Sequence, residues 1–576
     1  MSGADRSPRR IVWDLLLRSE RWSVLFLLLL ALTGVVLETL SLGAVIPVIS
    51  VLVNDGSSLS EVPLLQFLEG SSRTTTILVV MSVMTVLIAV KHVFTLWSSW
   101  IQFGFFARLT VRLTQRLFGN YLYKPYLFHT KHSSSELITN TQSASLVISG
   151  AITPLLTLTS DVLVGLSLFV LLVFVEPLAT LLSLLVFGTF AVAFQRVTRK
   201  RIDQWGMAGI NHRRNAMRLL QEGLGGIKEI KVLSREESFL AKHELTLSEL
   251  AAANQRFSTL QGVPRLFLET LSLVGLTILV VSMTVQGRSG DDILPVLGLF
   301  AAGAFRVSPS VNRVITAIQQ IRFALPAIRV IESDLTTSIE PESVAQIKNA
   351  PRFEALDLRS VSFLHSERPK PVLDGLSLVV NKGDSIGIMG ESGVGKSTLI
   401  DLMLGLFPPS EGLVLLNGCD VHSRLREWHG LVGYVPQQVF LADASIRSNV
   451  AFGIDESAID DDAVLEALHL AQLDSYLDGL PSGLDSVIGE RGIRLSGGQR
   501  QRIGIARALY QEPQVLIFDE ATSSLDAETE QAFLESMNQL SKDHTMIVVA
   551  HRTSTLRYCS QVYRLQDGQL HRTEMR

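Results

Sequence analysis

Apolar residues gather into six long runs along the first part of the chain, at about 22–53, 75–105, 146–175, 177–196, 265–286 and 293–320. A helix needs roughly 20 apolar residues to cross the hydrocarbon core of a bilayer, so each run predicts a spanning helix. Several are longer than that and are expected to tilt or to continue into water. The third and fourth runs are separated by little more than Glu176-Pro177, which predicts a tight hairpin. Residues 10–20, with Arg10, Ile11, Trp13, Leu15, Leu16 and Arg18, predict an amphipathic helix lying at the membrane interface. Residues 60–69 read equally as a short amphipathic helix stopped by Gly70 or as a loop with scattered hydrophobes. Past about residue 330 the long runs end and a soluble composition takes over, with short apolar strands such as 515–519 and 546–550. The organisation expected is an interfacial helix (1–21), a six-helix transmembrane domain with cytoplasmic extensions (22–330), a linker (331–350) and a soluble domain (351–576).

Charge orients this arrangement. The segment 106–145 carries Arg108, Arg112, Arg116, Lys124 and Lys131, and 196–262 carries Arg196, Arg199, Lys200, Arg201, Arg213, Arg214 and Arg218 among others. The opposite loops hold only Arg73 and Arg288. Basic loops stay on the cytoplasmic side, which places both termini and the soluble domain there, in a multi-pass protein of the cytoplasmic membrane. The net charge of -4 gives no reason to propose a nucleic-acid partner. Cys419 and Cys559 form no closely spaced pair and read as reduced core or surface residues. The basic N-terminus leads into an apolar run too long for a signal-peptide core, and no secretory signal is expected.

The soluble domain carries the chemistry. Gly390-Glu391-Ser392-Gly393-Val394-Gly395-Lys396-Ser397 is a Walker A loop, whose glycines let backbone N–H groups curl around the β- and γ-phosphates of ATP. Lys396 adds positive charge, Ser397 offers a hydroxyl to Mg²⁺, and Thr398 follows in a helix whose N-terminus faces the nucleotide. Asp519 ends an apolar strand and is placed to hold Mg²⁺ through water. Glu520 is the candidate general base for the attacking water. Ser496, Gly497, Gly498 and Gln499, in Leu495-Ser496-Gly497-Gly498-Gln499, open a helix suited to a γ-phosphate.

This series resembles the ATP-binding cassette (ABC) proteins, with an α/β P-loop NTPase domain following an α-helical six-span domain. The resemblance implies further roles. Gln437 of Tyr434-Val435-Pro436-Gln437 would sense Mg²⁺ and couple to the membrane domain. Asp526 would belong to the D-loop, His551 would contact the γ-phosphate, and the Ser496 motif would serve a partner subunit's ATP. The family usually stacks adenine on a tyrosine after a Val-Ser-Phe strand; here Val361-Ser362-Phe363 is followed by Leu364 and His365, so His365 or a neighbour takes that place. Glu490-Arg491-Gly492 is similar to the segment through which exporters touch their membrane domain.

Glu38, Lys91, Asp161, Glu269 and Arg306 fall inside the apolar runs, where a lone charge costs ~3 kcal/mol at a helix centre. Each must face a cavity or a partner. Arg306 and Arg313 lie about two turns apart on nearly one helix face, and Arg265 opens the neighbouring run. Three guanidiniums could grip an anionic head, because Arg pairs bidentately with phosphate; the alternatives are intramembrane ion pairs or lipid contacts. The stretches Glu38–Ile49 and Gly226–Lys231 resemble the bacterial flippases for lipid-linked oligosaccharides. That implies a homodimeric, ATP- and Mg²⁺-dependent translocase for an amphiphile with a pyrophosphate-sugar head and a polyprenyl tail. The other readings are an exporter of another lipid, drug or peptide, a soluble ABC ATPase, which the six spans oppose, and a regulatory ATPase without cargo.

Overall fold

A computed structural model describes residues 13–14, 16–43, 73–175, 177–286, 290–336, 352–365, 369–521 and 527–573. The short helix read at 60–69, residues 44–53 of the first run and the D-loop at Asp526 lie outside the described residues, as do residues 10–12 and 15 of the interfacial helix at 10–20. The chain divides into two units, Met1–Lys124 with Phe128–Pro341, and Pro125–Leu127 with Glu342–Arg576.

The described residues of the first unit are almost all helical. Its long members are α1 (Arg18–Gly43), α2 (Arg73–Tyr123), α4 (Ser134–Val147), α5 (Thr153–Val175), α6 (Pro177–Gly225), α8 (Glu236–Val285) and α9 (Gly290–Thr336), with the short α3 (Tyr126–Lys131) and α7 (Ile227–Leu233) between them. Among the described residues, five stretches are long and apolar enough to cross a membrane, on α1, α2, α4 to α5, α8 and α9. The fourth expected run opens α6, whose first side chains are outside the description.

The helices outrun the bilayer. α2 has 51 residues, about 77 Å at 1.5 Å each, against about 45 Å for a bilayer with its headgroups. Span three begins earlier than its apolar run: α4, a π-helical turn at Ile148–Ile152 and α5 follow one another directly. Thr139, Asn140 and Ser143 are buried there despite their polarity, and Thr139 and Ser143 satisfy their hydroxyls on backbone carbonyls four residues back. The helix α9 continues to Thr336, into the expected linker, because Ile331 and Leu335 keep contributing to the core at helical spacing. That core is built from Leu109, Leu113 and Leu117 of α2, Val147 beside the π turn, and Ile328 of α9. Trp22 near the start of α1 and Trp97 and Trp100 midway along α2 remain exposed, as aromatic residues at a membrane interface do.

The second unit holds two sheets. One is antiparallel, in the order β2 (Leu373–Asn381), β1 (Ala355–Phe363), β4 (Glu411–Leu416), β5 (Cys419–Asp420). The other runs β10 (Gln569–Arg572), β9 (Gln561–Gln566), β3 (Ser385–Met389), β8 (Thr545–Val549), β7 (Val515–Asp519), β6 (Val432–Val435). From β9 to β6 its strands are parallel. All residues of β7 and β8 are buried, as strands covered on both faces require. Because β3, β8 and β7 are adjacent and parallel, the segments after Met389, Val549 and Asp519 emerge together at their carboxyl ends, where open α/β sheets bind ligands.

Candidate functional site

The loop after β3 turns through Gly393 at φ +79° and Gly395 at φ +112°, values that side-chain-bearing residues avoid. A Cβ on Gly395 would also fall 2.6 Å from Val372. Helix α10 (Lys396–Met403) starts directly afterwards. The buried Lys396 ammonium turns back into the loop, donating to the carbonyls of Gly390 at 2.9 Å and Glu391 at 3.0 Å.

Glu520, the first residue past β7, is held at φ +48°, a left-handed conformation that costs a non-glycine residue ~1–3 kcal/mol. Its N–H bonds to the Val549 carbonyl at 2.9 Å, which ties it to the end of β8. The turn brings its carboxylate 3.4 Å from Lys396 and 2.7 Å from His551 Nε2. Gln437 Nε2 donates to the other carboxylate oxygen at 2.9 Å, and His551 Nε2 lies 3.1 Å from the Lys396 ammonium. Four residues read separately from the sequence thus form one hydrogen-bonded cluster. Such a group can bind an anion at the lysine and take up a proton at Glu520.

Asp519 sits behind this cluster. Burial, and then the Glu520 charge, push its carboxyl up to about 6. Asp401 of α10 is likewise raised to about 6, by burial and by Asp519. Tyr434 hydrogen-bonds Asp519, and burial holds the phenol well above its usual value. Asp401 and Tyr434 were not singled out in the sequence; their signals were a carboxylate five residues after Lys396 and an aromatic three before Gln437.

Ser496 caps α11 (Gly497–Leu509). Its Oγ accepts from the Gln499 N–H at 3.2 Å and Gln499 Oε1 accepts from the Ser496 N–H at 2.8 Å, a reciprocal box that does not use the N–H groups of Gly497 and Gly498. Among the described residues, no hydrogen bond or ion pair joins Ser496–Gln499 to the Lys396 cluster. The link runs one turn later, where Gln501 donates to the Pro436 carbonyl at 3.3 Å. His365 stands edge-on to Phe363 at 4.9 Å, and Phe363 stacks on Phe407 at 5.1 Å, an aromatic shelf that includes the expected position.

Within the helical unit three pairs join charges singled out in the sequence. Lys91 bonds Glu38 across α2 and α1. Arg313 Nε of α9 meets Asp161 Oδ1 of α5 at 2.6 Å, and Arg265 meets Glu269 one turn on at 2.8 Å. The Arg306 side chain lies outside the description.

Comparison with known proteins places these features. Residues 373–523 match the ABC transporter family and residues 23–288 match the ABC transporter transmembrane region. The chain belongs to the ABC transporter family. An ATP-dependent lipid A-core flippase of Chromobacterium violaceum is 28% identical over 82% of this transporter and 80% of that protein. ABC transporter B family member 1 of Dictyostelium discoideum is 29% identical over 84% of this chain, which spans only 54% of that relative. A bacterial Atm1-family ABC exporter solved with ATP bound superposes with a TM-score of 0.77 at 22% identity, covering 96% of this chain and 94% of that one, and so shares the fold. The transporter is an ATP-driven exporter with a fused helical domain and nucleotide-binding domain.

The donor set around Asp519 fits Mg²⁺. Asp519, raised by burial and by Glu520, and Asp401, raised by burial and by Asp519, are carboxylates that a hard divalent cation would relieve, and Ser397 is exposed at the start of α10. Among the described residues no group of three His, Cys, Asp or Glu could hold a metal alone.

Proposed function

We propose that this transporter works as a homodimer in the cytoplasmic membrane and moves an amphiphile with an anionic head, such as a lipid-linked oligosaccharide, from the inner to the outer leaflet. The observation that carries the reading is a cavity of about 350 Å³ inside the spans, lined by Glu38, Ser98, Gln102, Ser160 and Arg313. Apolar cargo would not need hydroxyls, an amide and charges at that depth, and their insertion is costly. Arg313 is half exposed while Asp161 is nearly buried, so the guanidinium is free to exchange its carboxylate for a phosphate. Arg265 and Arg306 would extend the grip. The printed name of the Chromobacterium violaceum relative, a lipid A-core flippase, supports a lipid cargo.

ATP would sit on Gly390–Thr398, with adenine against the shelf at His365 and Mg²⁺ held by Ser397, Asp519 and Gln437. Mg²⁺ supplies charge neutralisation between the phosphates. Lys396 binds the γ-phosphate, and Glu520 leaves Lys396 to accept a proton from the attacking water while His551 holds the phosphate oxygens. The start of α11 at Ser496 and the D-loop Asp526 would complete the site of the second copy, which makes two chains the working unit. The exposed Val232 and Leu233 of α7 favour the same assembly, since an apolar cytoplasmic tip needs a protein surface to cover it. The experiment is substrate-stimulated ATPase activity of the purified dimer. A pyrophosphate-linked glycolipid should raise turnover severalfold in wild type and not in Arg313→Ala; equal stimulation by uncharged lipids would contradict the reading.

A further inference from the structure

A second cavity, of about 230 Å³, lies deeper in the helical unit where α4, α6, α8 and α9 meet. Counting from the outer ends of the helices at 1.5 Å per residue, its walls stand about 35–55 Å along, at the inner headgroups and just beyond. Its chemistry is uneven. Arg213 of α6, Asn254 and Gln261 of α8 and Gln320 of α9 face a stacked aromatic pair, Phe257 on Phe323 at 4.0 Å.

Two of these polar groups, Gln261 and Arg213, lack a partner among the described residues. Gln261 Nε2 is buried with no hydrogen-bond partner. Among the described residues no hydrogen bond or ion pair reaches Arg213, although its neighbours are both occupied: His212 with Glu249 at 3.0 Å and Arg214 with Glu136 at 3.3 Å. A half-buried guanidinium without a counter-ion beside an orphaned amide donor is costly unless something anionic fills the space.

The wall is built to stay close. The π-helical turn lines the cavity at Gly150, where a Cβ would meet the Ala324 Cβ at 2.8 Å, and a Cβ on Gly206 would meet the Phe323 carbonyl at 2.4 Å. Single π turns recur at functional sites because they re-aim the residues beside them.

We propose that this cavity binds the phosphate head of an inner-leaflet amphiphile, with Arg213 forking two phosphate oxygens and Gln261 donating to a third. The stacked rings and small residues receive the first carbons of the lipid. Arg199, Lys200 and Arg201 on the same helix α6 raise the local concentration of anionic headgroups. The inference rests on the chain being a membrane-embedded exporter, not on which amphiphile it exports. A binding readout that involves no transport therefore separates the two.

The test is equilibrium binding of radiolabelled dihexanoyl phosphatidic acid to the purified full-length transporter in uncharged detergent. Saturable binding of one lipid per chain is expected, weakened about tenfold or more by Arg213→Ala and less by Arg213→Lys, which keeps charge but not the fork. Gln261→Leu should weaken it severalfold. Gly209→Leu, which fills the same cavity and leaves Arg213 in place, should also abolish it, and it stands in should Arg213→Ala not fold. Basal ATPase activity should be unchanged in all four. Undiminished binding in Arg213→Ala or Gly209→Leu overturns the site. Equal binding of soluble glycerol phosphate would show a phosphate site and overturn the lipid source; equal competition by dihexanoyl glycerol would overturn the phosphate.

Discussion

The carboxylate of Glu520 lies 3.4 Å from the ammonium of Lys396, so the candidate base and the candidate phosphate ligand hold each other. An incoming γ-phosphate must part them. Glu520→Gln should therefore bind ATP as well as wild type or a few-fold more tightly, because Lys396 loses a competing anion. Hydrolysis should fall about 10²–10⁴-fold, the usual contribution of a general base. Nucleotide binding and single-turnover hydrolysis on the purified variant decide it; wild-type turnover would remove Glu520 from the role.

Among the described residues no hydrogen bond or ion pair joins the capping box at Ser496 to the Lys396 cluster, which makes the two halves separable. Ser496→Arg should abolish ATPase activity while nucleotide binding to the isolated chain survives, since the Walker A loop is untouched. Mixing Ser496→Arg with Lys396→Ala should restore one working site per mixed dimer. Proven mixed dimers without any recovered activity would argue against ATP shared between two copies.

Asp401 and Asp519 give a pH signature. Both carboxyls sit at about 6 in the folded domain against 3.8 for an ordinary aspartate. The folded state binds more protons than the unfolded chain between those values, so stability falls as pH rises from about 4 through 6 and stays lower above. Asp401→Asn should remove the cost of burying that charge and its repulsion from Asp519. In the absence of Mg²⁺ its melting temperature should exceed wild type at pH 7.5 and match it near pH 4. A variant that melts below wild type at pH 7.5 would mean that Asp401 makes a net favourable contact.

Arg313 and Asp161 test whether an intramembrane charge serves packing or cargo. Arg313→Ala leaves Asp161 without its partner and should lower the melting temperature by several degrees. The neutral pair Asp161→Asn with Arg313→Gln should recover stability but not transport. Recovery of both would mark the pair as structural.

The nucleotide motifs were legible because their spacing is strict and each residue type has one evident chemistry. Their mutual contacts were not: nothing local says that Glu520 adopts a left-handed turn, which brings it to Lys396, Gln437 and His551 together. The spans were legible from apolar runs, yet the start of the third was hidden by Thr139, Asn140 and Ser143, whose hydrogen bonds or burial no hydropathy pattern reports. The pairing of Asp161 with Arg313 joins residues on two different helices, α5 and α9, and is a tertiary fact. Nothing in the sequence around Asp401 reports its burial or its nearness to Asp519.

The most direct test of the account is flipping in sealed proteoliposomes. Wild-type protein, reconstituted with a fluorescent polyprenyl-pyrophosphate sugar, should move the lipid between leaflets only with ATP and Mg²⁺, as read by protection from a membrane-impermeant quencher. Glu520→Gln and Arg313→Ala, both well folded, should leave it in place. ATP-independent movement, or full activity in Arg313→Ala, would contradict the account.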